Sequence, residues 1–363
     1  MGKQKSIIIT VTNDLTYDQR MQRHASILAN NGFTVLLVGR ELPASKPLGE
    51  FGFAQKRIKC KFNKGKLFYL EYNLRLIWFL IFCKPDIYLA VDLDTLLPNY
   101  LIAKARHKKL VFDSHEYFTE VPEVVDRPLT KHIWECVGSI AVSGADLAYT
   151  VGPTLAEIFT KKYGLKFYSI LNVPALVRTE TIEKPIGKVI FYQGALNIGR
   201  GLESLILAMR LVNGELWIAG EGDLSMALRE MVKREKLDAK IKFLGFILPK
   251  DLPAYTQQAR VACNLLEPMG LSYYYSLANK YFDYMHAGVP QICANFPEYK
   301  AINSEFEVAV LVSCIEEEIV LALNNLLEDS DLYERLQNNC SLASQVYNLQ
   351  NESQKLVQLY QSL

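Results

Sequence analysis

The stretch "KVIFYQGALNIGRGLESLILAM", Lys188 to Met209, decides the fold. Its first half is an apolar run that predicts a buried strand, and a glycine-rich turn, Gly194–Gly201, follows directly. Its second half repeats apolar residues at helical spacing, at Leu202, Leu205, Ile206 and Met209. A buried strand, a tight turn and an amphipathic helix in this order are typical of a parallel sheet that is covered by helices on both faces.

The same alternation of strand, turn and helix extends in both directions from this stretch. Short apolar strands precede it in "SIIITVT", "FTVLLVG", "PDIYLAVD", "KKLVFDSHE" and "DLAYTVG", and follow it in "GELWIAGEG", "KIKFLGF", "VACNLLEP" and "VPQICA". The pattern stops near Pro174 and Pro185 and then starts again, which indicates two domains in a chain of 363 residues. We therefore expect an α/β fold of two doubly wound, Rossmann-like domains that face a central cleft.

The interruption also sets the domain boundaries. We expect a first domain at residues 1–172, a linker at 173–186, a second domain at 187–345, and a C-terminal helix at 346–363 that either stays with the second domain or crosses back to the first. Ligands of open parallel sheets bind beyond the carboxyl ends of the strands, so the loops that follow strands are the candidate sites.

The composition excludes several classes of function. The 40 basic and 39 acidic residues give a net charge of +1, which offers no electrostatic basis for binding nucleic acid. The seven cysteines form no CxxC pair, which argues against structural zinc and a disulfide framework and fits a cytoplasmic location. The apolar core of the N-terminal "MGKQKSIIITVTND" is too short for a signal peptide and predicts a first strand.

One apolar segment leaves two interpretations open. The run Leu76–Cys83 is far shorter than the roughly 20 residues that cross a bilayer. It fits a core helix that leads into a strand. It also fits an interfacial patch, because basic residues precede it at Lys56, Arg57, Lys59, Lys61, Lys64 and Lys66. In the second case, residues 56–83 would make a peripheral contact with the inner face of the membrane.

The glycine-rich turn predicts an anion site. Gly194–Gly201 nearly matches the phosphate loop G-x-x-x-x-G-K-[ST], but Arg200 replaces the lysine and Gly201 replaces the hydroxyl residue that would bind magnesium. That replacement excludes a nucleotide hydrolase of the phosphate-loop type. Glycines still allow close backbone approach, and an arginine binds phosphate in bidentate fashion. The alternative is a plain tight turn with a surface arginine.

A second anion site is predicted in "SLANKYFDYMHAGVP", Ser276 to Pro290. Ser276 would cap the helix, which would place Asn279 and Lys280 near its N-terminus and Asp283 about one turn further. A lysine at this end opposes the helix dipole, so it is a poor choice for stability and a good one for binding phosphate. A cation for phosphate and a carboxylate for sugar hydroxyls, one turn apart, would suit a nucleotide.

Two loops of the first domain carry further candidate groups. "FDSHEYFTE" places His115 and Glu116 at a strand end, where a functional and a structural histidine are both open interpretations. Thr119 stands where the zinc motif HExxH requires a histidine, which excludes that class of metalloprotease. "TNDLTYDQR" carries Asp18 and Arg20, which suit either the turn and the solvent or a binding site.

In this order along the chain, these motifs resemble the GT-B glycosyltransferases, and within them the retaining group known as family 4. The resemblance spans nearly the whole chain and is strongest from Val189 to Pro297. "GALNIGRG" is similar to the family's Gly-Arg-x…Lys-Gly turn, "AGEGD" to its Gly-acidic-Gly turn, and "FLGF" to the strand before its base-binding loop. "SLANKYFDYMHAGVP" is similar to its closing helix and turn, and "DSHE" stands where the family has a histidine near the sugar.

The resemblance implies roles for the donor-binding residues. Arg200 and Lys280 would neutralise the donor diphosphate, and Asp283 would hold the ribose hydroxyls. The further donor-binding candidates are Gly199, Ser276, Asn279, Gly220 and Gly222, the last two of which would leave room for the nucleotide, and Phe246, Ile247 and Leu248, whose backbone would meet the base.

The resemblance also implies catalytic candidates and a reaction without a metal. His115 would contact the transferred sugar near its reacting face, with Glu116 beside it in the sequence. Members of this fold group typically need no metal ion, so we expect no cofactor. Asp92-Leu93-Asp94 matches the metal-binding pattern D-x-D, but it lies in the first domain and not beside the donor phosphates. We therefore expect it to be a chance match.

The chain departs from the family pattern at three positions, one of which is Asp283, the shorter acid where glutamate is usual. Ala195 stands where the family has the arginine of the first phosphate pair, so Arg20, with Asp18 nearby on the acceptor or phosphate side, is a candidate to supply that charge. Tyr275 stands where the family has the first of two acids, and Glu267 is the candidate replacement, which completes the catalytic set.

The implied function is a retaining glycosyltransferase that moves a sugar from a nucleotide diphosphate sugar to a hydroxyl of a saccharide or lipid-linked acceptor. Cell-surface polysaccharide or glycolipid synthesis in the cytoplasm, near the inner face of the membrane, would fit such an enzyme. Two alternatives stay open: a sugar-nucleotide epimerase of the same fold, and a non-catalytic protein that binds sugar nucleotides.

Overall fold

The computed structural model describes residues 4–16, 18–177 and 187–363. The chain divides into two compact units, unit 1 with Met1–Asn172 and Glu352–Leu363, and unit 2 with Val173–Asn351. Residues 178–186 of the predicted linker lie outside the described residues, and residues 173–177 belong to unit 2.

Unit 1 alternates strands and helices along the chain. Its strands are β1 (Ser6–Asp14), β2 (Thr34–Glu41), β3 (Ala54–Lys59), β4 (Ile87–Val91), β5 (Lys109–Ser114), β6 (Leu147–Thr150) and β7 (Phe167–Ser169). Its helices up to this point are α1 (Gln19–Asn30), α2 (Gly65–Phe82), α3 (Asp92–Ala105), α4 (Pro122–Val125), α5 (Pro128–Ala141) and α6 (Pro153–Tyr163), with a 3₁₀ turn at Phe118–Glu120.

Unit 2 repeats this alternation. Its strands are β8 (Val189–Gln193), β9 (Glu215–Ala219), β10 (Ile241–Gly245), β11 (Val261–Asn264), β12 (Gln291–Ala294) and β13 (Ala309–Val312). Its helices are α7 (Leu202–Ala208), α8 (Ser225–Arg234), α9 (Leu252–Thr256), α10 (Leu271–Tyr274), α11 (Asn279–His286), α12 (Pro297–Glu305), α13 (Glu316–Glu328) and α14 (Ser330–Val346). A last helix, α15 (Leu349–Gln361), begins in unit 2 and continues in unit 1.

Within the described residues, each unit holds one fully parallel sheet. The seven strands of unit 1 lie in the order β3-β2-β1-β4-β5-β6-β7, and the six strands of unit 2 lie in the order β10-β9-β8-β11-β12-β13. Both orders reverse direction after the first strand of the unit, which is the doubly wound arrangement. The prediction of an α/β fold with two doubly wound units is therefore confirmed.

The strands have the composition that such sheets require. The side chains of β4, "IYLAV", are all buried, because helices cover both faces of a parallel sheet. Each unit has its own apolar core, and Tyr360 of α15 is fully buried in the core of unit 1. All seven cysteine thiols are free, as the sequence predicts.

Three elements differ from the sequence-based expectation. The basic segment before the apolar run contains an edge strand, β3, and Phe167–Ser169, in a stretch without periodicity, forms the other edge strand, β7. The apolar run itself belongs to the 18-residue helix α2, which has one buried side and one exposed side. Short edge strands pair on one side only, so their sequences carry a weaker apolar pattern.

The strand order fixes where ligands are expected. It reverses between β1 and β4 in unit 1 and between β8 and β11 in unit 2. In doubly wound sheets, the crevice at the carboxyl ends of these two strands is the usual binding position. The candidate residues after β1, β4, β8 and β11 therefore lie at the expected place in each sheet.

Candidate functional site

In unit 2, two glycine turns pack directly on each other at the carboxyl edge of the sheet. The Gly194 N–H donates to the Ala219 carbonyl oxygen at 3.0 Å, and the Leu196 N–H donates to the Glu221 carbonyl oxygen at 3.3 Å. A Cβ added at Gly220 would lie 1.9 Å from the Gly194 carbonyl oxygen. Gly220 also has a φ of +146°, a value that favours glycine.

This packing adds a structural role for Gly220 and Gly222. The resemblance implies that they leave room for a nucleotide, and in the structure they let the neighbouring turn approach closely. A Cβ at Gly222 would lie 2.3 Å from Asn197 Oδ1 and 2.6 Å from the Leu196 carbonyl oxygen. Both glycines are therefore required by the close approach of two loops.

Lys280 is the most unusual charged residue of this edge. It is the second residue of α11 and is only 8% exposed. Its Nζ lies 4.0 Å from the ring centroid of Tyr192 and 4.0 Å from where a Cβ of Gly194 would be. No carboxylate lies within ion-pair distance of Lys280 in the described parts of the chain. Burial, with a further contribution from the charge of Arg200, lowers the pKa of Lys280 to about 7.

Arg200 lies in the glycine-rich turn, as predicted, and belongs to the same electrostatic cluster as Lys280. Its guanidinium carbon is 5.1 Å from the ring centroid of Tyr273. The turn is held against that ring, because a Cβ at Gly199 would lie 2.9 Å from Tyr273 and 2.7 Å from Met269 Sδ. Two like charges close together and weakly neutralised by protein groups are typical of an anion site.

The structure brings Glu267 to this turn. Its backbone N–H donates to the Gly199 carbonyl oxygen at 3.0 Å. Burial raises the pKa of Glu267, and the negative charge of Glu203 raises it further. Glu267 therefore lies at the glycine-rich turn, just after the carboxyl end of β11.

Asp283 lies one turn after Asn279 on α11 and is half-buried. Its Oδ2 accepts a hydrogen bond from Gln193 Nε2 at 2.8 Å, and Gln193 Oε1 in turn accepts one from Thr256 Oγ1 at 3.1 Å. The backbone N–H of Gln193 donates to Tyr284 Oη at 3.0 Å. This chain of contacts fixes α11 to the end of β8 and holds the carboxylate in place.

The predicted cap of this helix is wrong. The helix begins at Asn279, its N-cap is Ala278, and no side chain caps it. Ser276 instead donates its hydroxyl to the Tyr273 carbonyl oxygen at 2.8 Å, in the turn before the helix. The Ala278 N–H donates to Tyr299 Oη at 3.0 Å, so a distant tyrosine orients the helix start. Asn279 is exposed at the first helical position.

The predicted base-binding residues follow β10 at the same edge of the sheet. Phe246 and Leu248 are 70% and 48% exposed, whereas Ile247 packs against a buried cluster. The Gly245 carbonyl oxygen accepts a hydrogen bond from the Gly220 N–H at 2.8 Å, which joins this loop to the glycine turns. The exposed side chains of Phe246 and Leu248 are thus available to a ligand.

Unit 1 has a second cluster, built around the fully buried Asp113. Arg20 Nη2 lies 3.3 Å from Asp113 Oδ1, His115 Nε2 lies 3.2 Å from Asp113 Oδ2, and His24 Nδ1 lies 3.7 Å from the same oxygen. Burial alone would raise the pKa of Asp113, but the charges of Arg20 and His115 outweigh it and hold that pKa well below its usual range.

This network corrects the predicted roles of Asp18 and Arg20. Arg20 is 7% exposed and is held by Asp113 and by the Ile170 carbonyl oxygen, inside unit 1, so it does not supply the phosphate charge that Ala195 lacks. Asp18 caps α1, because its carboxylate accepts the Met21 N–H at 3.1 Å. Both side chains stabilise the unit.

His115 is placed where a substrate can reach it. The backbone N–H of His115 donates to Asp92 Oδ1 at 2.8 Å, and its ring Nδ1 lies 3.6 Å from Asp92 Oδ2. Burial would lower the pKa of His115, but Asp113 and Asp92 raise it to about 8. Burial, opposed by the charge of His115, raises the pKa of Asp92 to about 7. Each group therefore favours the charged form of the other.

Asp92 and Asp94, which the sequence suggested were a chance match, belong to this site. Asp92 has a φ of +56°, an uncommon conformation that aspartate tolerates better than most residues. Asp94 is 5% exposed and accepts a hydrogen bond from Thr12 Oγ1 at 2.6 Å. Burial and the nearby Asp92 raise the pKa of Asp94 to about 7. Their position after β4, at the reversal of strand order, was the signal that could have identified them.

A cavity of about 570 Å³ opens beside these carboxylates, within unit 1. The ends of β1 and β4 form one side of it. The charged and titratable residues that line it are Arg40, Lys64, Asp92, Asp94, His115 and Glu116. A polar cavity of this size, with both donors and acceptors, suits a small polyhydroxyl ligand. Among the described residues, no group of three or more His, Cys, Asp or Glu is arranged to hold a metal ion.

Comparisons with known proteins agree with this geometry. Residues 178–341, which fall in unit 2, match the family model "Glycosyl transferases group 1". In sequence alone, no curated protein matches the chain.

Solved structures share the fold across the chain. Anabaena HepE in complex with UDP and glucose is similar with a TM-score of 0.79 at 15% identity, over 99% of this chain and 100% of that one. Sucrose-phosphate synthase from Thermosynechococcus elongatus gives 0.82 at 15% identity, over 99% and 98%. The lipopolysaccharide outer core galactosyltransferase WaaB, in its apo form, gives 0.72 at 12% identity, over 99% of both chains.

The similar solved structures show the fold of the chain, and the family model matches part of unit 2. The fold is that of the GT-B glycosyltransferases, as the resemblance of the motifs implies. Residues 178–341, the part of the chain that holds Lys280, Arg200 and the glycine turns, match this family model. Over the whole chain, the similar solved structures show a GT-B fold.

Proposed function

We propose that the protein is a retaining glycosyltransferase that moves a sugar from a UDP-sugar to an acceptor hydroxyl. The observation that carries this proposal is Lys280, a buried ammonium group without a carboxylate partner in the described residues, at the point where the strand order of unit 2 reverses. Burying a charge is costly unless an opposite charge compensates it, so a ligand anion is the expected partner. Uridine as the base is supported by HepE, whose structures contain UDP or UDP-glucose.

The residues of unit 2 would bind the donor. Lys280 and Arg200 would stabilise the negative charge that develops on the diphosphate as the bond from the sugar C1 to the phosphate oxygen breaks. Asp283, held by Gln193, would accept hydrogen bonds from the ribose hydroxyls. Glu267, whose backbone contacts the glycine-rich turn at Gly199, would accept hydrogen bonds from hydroxyls of the transferred sugar. The exposed loop 246–248 would meet the base.

The cavity of unit 1 would bind the sugar and the acceptor. His115 and Asp92 would each bind a hydroxyl group, and Asp94 and Glu116 would add acceptors at the cavity wall. The acceptor oxygen would form the new bond to C1 while the diphosphate leaves, and the acceptor proton would pass to the leaving phosphate or to solvent. No metal ion would take part, because two protein cations already neutralise the diphosphate.

The cellular role belongs to the same proposal. We propose synthesis of a cell-surface polysaccharide or glycolipid in the cytoplasm, near the inner face of the membrane. WaaB, a lipopolysaccharide galactosyltransferase, supports this class of acceptor through its similar fold only.

A donor screen tests the proposal. Thermal shift against a panel of nucleotide sugars should give the largest rise in melting temperature with one or a few UDP-sugars, because ligand binding stabilises the folded state. With the selected donor and a chelator present, proton NMR should first detect released or transferred sugar with the anomeric configuration of the donor.

Three results would contradict the proposal. Conversion of one UDP-sugar into another without an acceptor would indicate an epimerase. Binding without hydrolysis or transfer would indicate a non-catalytic binding protein. Release with the inverted configuration would exclude retention.

A further inference from the structure

Helix α2 exposes an apolar surface that a soluble helix rarely leaves uncovered. Its buried side consists of Phe68, Tyr72, Leu76 and Leu80. Its opposite side is also apolar and 42–68% exposed, at Leu67, Leu70, Leu74, Trp78, Ile81 and Phe82. These positions recur every three or four residues, so they form one stripe along the whole helix. Single exposed apolar side chains are normal on a monomer, but a contiguous row of six marks a surface that binds something.

The stripe ends in an aromatic pair, and a groove lies beside it. The rings of Trp78 and Phe82 meet edge to face, with centroids 5.2 Å apart. A groove of about 470 Å³ lies beside Trp78, and its other lining residues include Leu74, Ile58, Lys59 and Arg75. Apolar side chains with cations at the rim fit a ligand that has an apolar body and an anionic head.

The charge around the stripe is strongly positive. Residues 54–84 contain eight basic residues and one acidic residue, a local charge of +7 in a chain whose net charge is +1. Ion pairs at 2.8 Å join Glu71 to Arg75 and Arg57 to Asp14. The remaining basic residues are exposed lysines, at Lys56, Lys59, Lys61, Lys64, Lys66 and Lys84.

The positive charge and the apolar stripe together indicate which kind of partner binds this surface. A second copy of the chain would bring two positive patches together, because a two-fold interface pairs each surface with itself. An anionic lipid surface matches both features, since acyl chains accept the apolar stripe and headgroups accept the lysines. No described helix is long and apolar enough to cross a membrane. We propose that α2 docks unit 1 on an anionic lipid bilayer, with its axis parallel to the surface and the Leu74–Trp78 face at the boundary of headgroups and acyl chains.

The N-terminal end of α2 adjoins the cavity of unit 1. Lys64, Gly65 and Phe68, at the start of α2, also line that cavity. A bilayer bound along α2 would therefore lie close to the proposed acceptor cavity, which favours an acceptor carried in the membrane. The docking itself does not depend on the transfer reaction, so its test uses no activity.

Flotation of the full chain with vesicles tests the docking. The protein should float with vesicles that contain phosphatidylglycerol, should float poorly with phosphatidylcholine alone, and should be released by added salt. The double variant Leu74→Gln/Trp78→Gln should bind at least tenfold more weakly, and Lys56→Gln/Lys59→Gln/Lys61→Gln should lose the dependence on anionic lipid.

The matched control is Leu321→Gln/Leu342→Gln, which replaces two leucines of unit 2 that are 64% and 59% exposed. It should float like the wild type, and all variants should keep the wild-type melting temperature within a few degrees. The proposal is overturned if the wild type floats with neither kind of vesicle, or if the control and the α2 variant lose binding equally. It is also overturned if light scattering shows a dimer that the α2 variant dissociates while lipid binding is unchanged.

Discussion

A buried lysine without a carboxylate partner destabilises the free protein unless it loses its proton or gains an anion. Burial and the charge of Arg200 lower the pKa of Lys280 to about 7, so below this pH the lysine carries its charge and above it the free protein favours the neutral form. A bound diphosphate favours the charged form. Binding above pH 7 must therefore take up a proton.

This linkage predicts how the affinity for UDP depends on pH. Between pH 7 and 9, where the UDP phosphate itself is fully ionised, the dissociation constant should rise by up to about tenfold per pH unit. Calorimetry in buffers with different ionisation enthalpies should show uptake of close to one proton at the upper end of this range. Lys280→Arg stays charged throughout, so its affinity should be nearly independent of pH there. An equal dependence on pH in both proteins would contradict the assignment.

Asp92 is the second test at the scale of single residues. Asp92→Asn keeps the side-chain size and tolerates the positive φ, but it removes a charge that would bind a substrate hydroxyl. We expect kcat/KM for release of UDP from the donor to fall about 10- to 100-fold, the value of one hydrogen bond to a charged group, with little change in melting temperature.

The control for Asp92 is His107→Asn, at another non-glycine position with positive φ, which is exposed and does not line the cavity. It should keep wild-type kinetics. An Asp92→Asn variant with wild-type kcat/KM would remove Asp92 from the site.

The individual residues also show what the sequence could predict. Lys280 was identifiable because a lysine at a helix start opposes the dipole, and such a choice needs another reason. The role of Arg20 was not identifiable from the sequence, because its partners Asp113 and Ile170 lie 93 and 150 residues away along the chain. Ser276 was a reasonable cap by residue type, but Tyr299 orients the helix start from a distance and makes the cap unnecessary.

Among the elements, the two glycine turns of unit 2 make the strongest prediction. Gly220→Ala would place a Cβ 1.9 Å from the Gly194 carbonyl oxygen and would require an unfavourable φ. The two turns would have to separate. We therefore expect the free energy of unfolding to fall by at least about 2 kcal/mol, through backbone strain and steric clash together. Thermal and denaturant unfolding measure this cost.

Gly187→Ala is the matched control in the same unit, because a Cβ there would have ordinary contact at 3.9 Å with Val189. It should leave stability within about 0.5 kcal/mol of the wild type. If Gly220→Ala behaved like Gly187→Ala, the packing of the two turns would not be a structural requirement.

The elements that the sequence predicted best are the central strands. They are buried on both faces and read as continuous apolar runs, so β4 and β8 were easy to identify. The edge strands β3 and β7 were missed, because one of their sides is unpaired and their composition follows other constraints. The exposure of one side of α2 was one of two interpretations that the sequence left open, because a helix that is apolar all round normally is buried, whereas the preceding basic residues favoured an interfacial patch.

For the whole molecule, the path of the chain predicts that a substitution in α15 lowers the stability of unit 1 without changing UDP binding by unit 2. Helix α15 continues from unit 2 into unit 1, where Tyr360 is fully buried and its hydroxyl lies 3.2 Å from Tyr149 Oη. Tyr360→Ala should destabilise unit 1 by about 3–5 kcal/mol through loss of buried aromatic surface. UDP binding by unit 2 should stay within about twofold of the wild type at a temperature where both units are folded.

Tyr360→Phe removes only the hydroxyl and should lower the free energy of unfolding of unit 1 by about 1 kcal/mol. Differential scanning calorimetry with and without UDP separates the two units, because the ligand raises the stability of the unit that binds it. Loss of UDP affinity in Tyr360→Ala under folding conditions would contradict the placement of the donor site in unit 2.

The central claim is that Lys280 neutralises the diphosphate of a UDP-sugar during transfer. The most direct measurement is the rate at which the purified chain releases UDP and free sugar from its selected donor when water is the only acceptor. We expect slow but enzyme-dependent release by the wild type and at least a hundredfold less by Lys280→Ala. Lys300→Ala, which removes an exposed lysine of the same unit, should release UDP like the wild type. Equal release by the wild type and Lys280→Ala, with both proteins folded, would contradict the central claim.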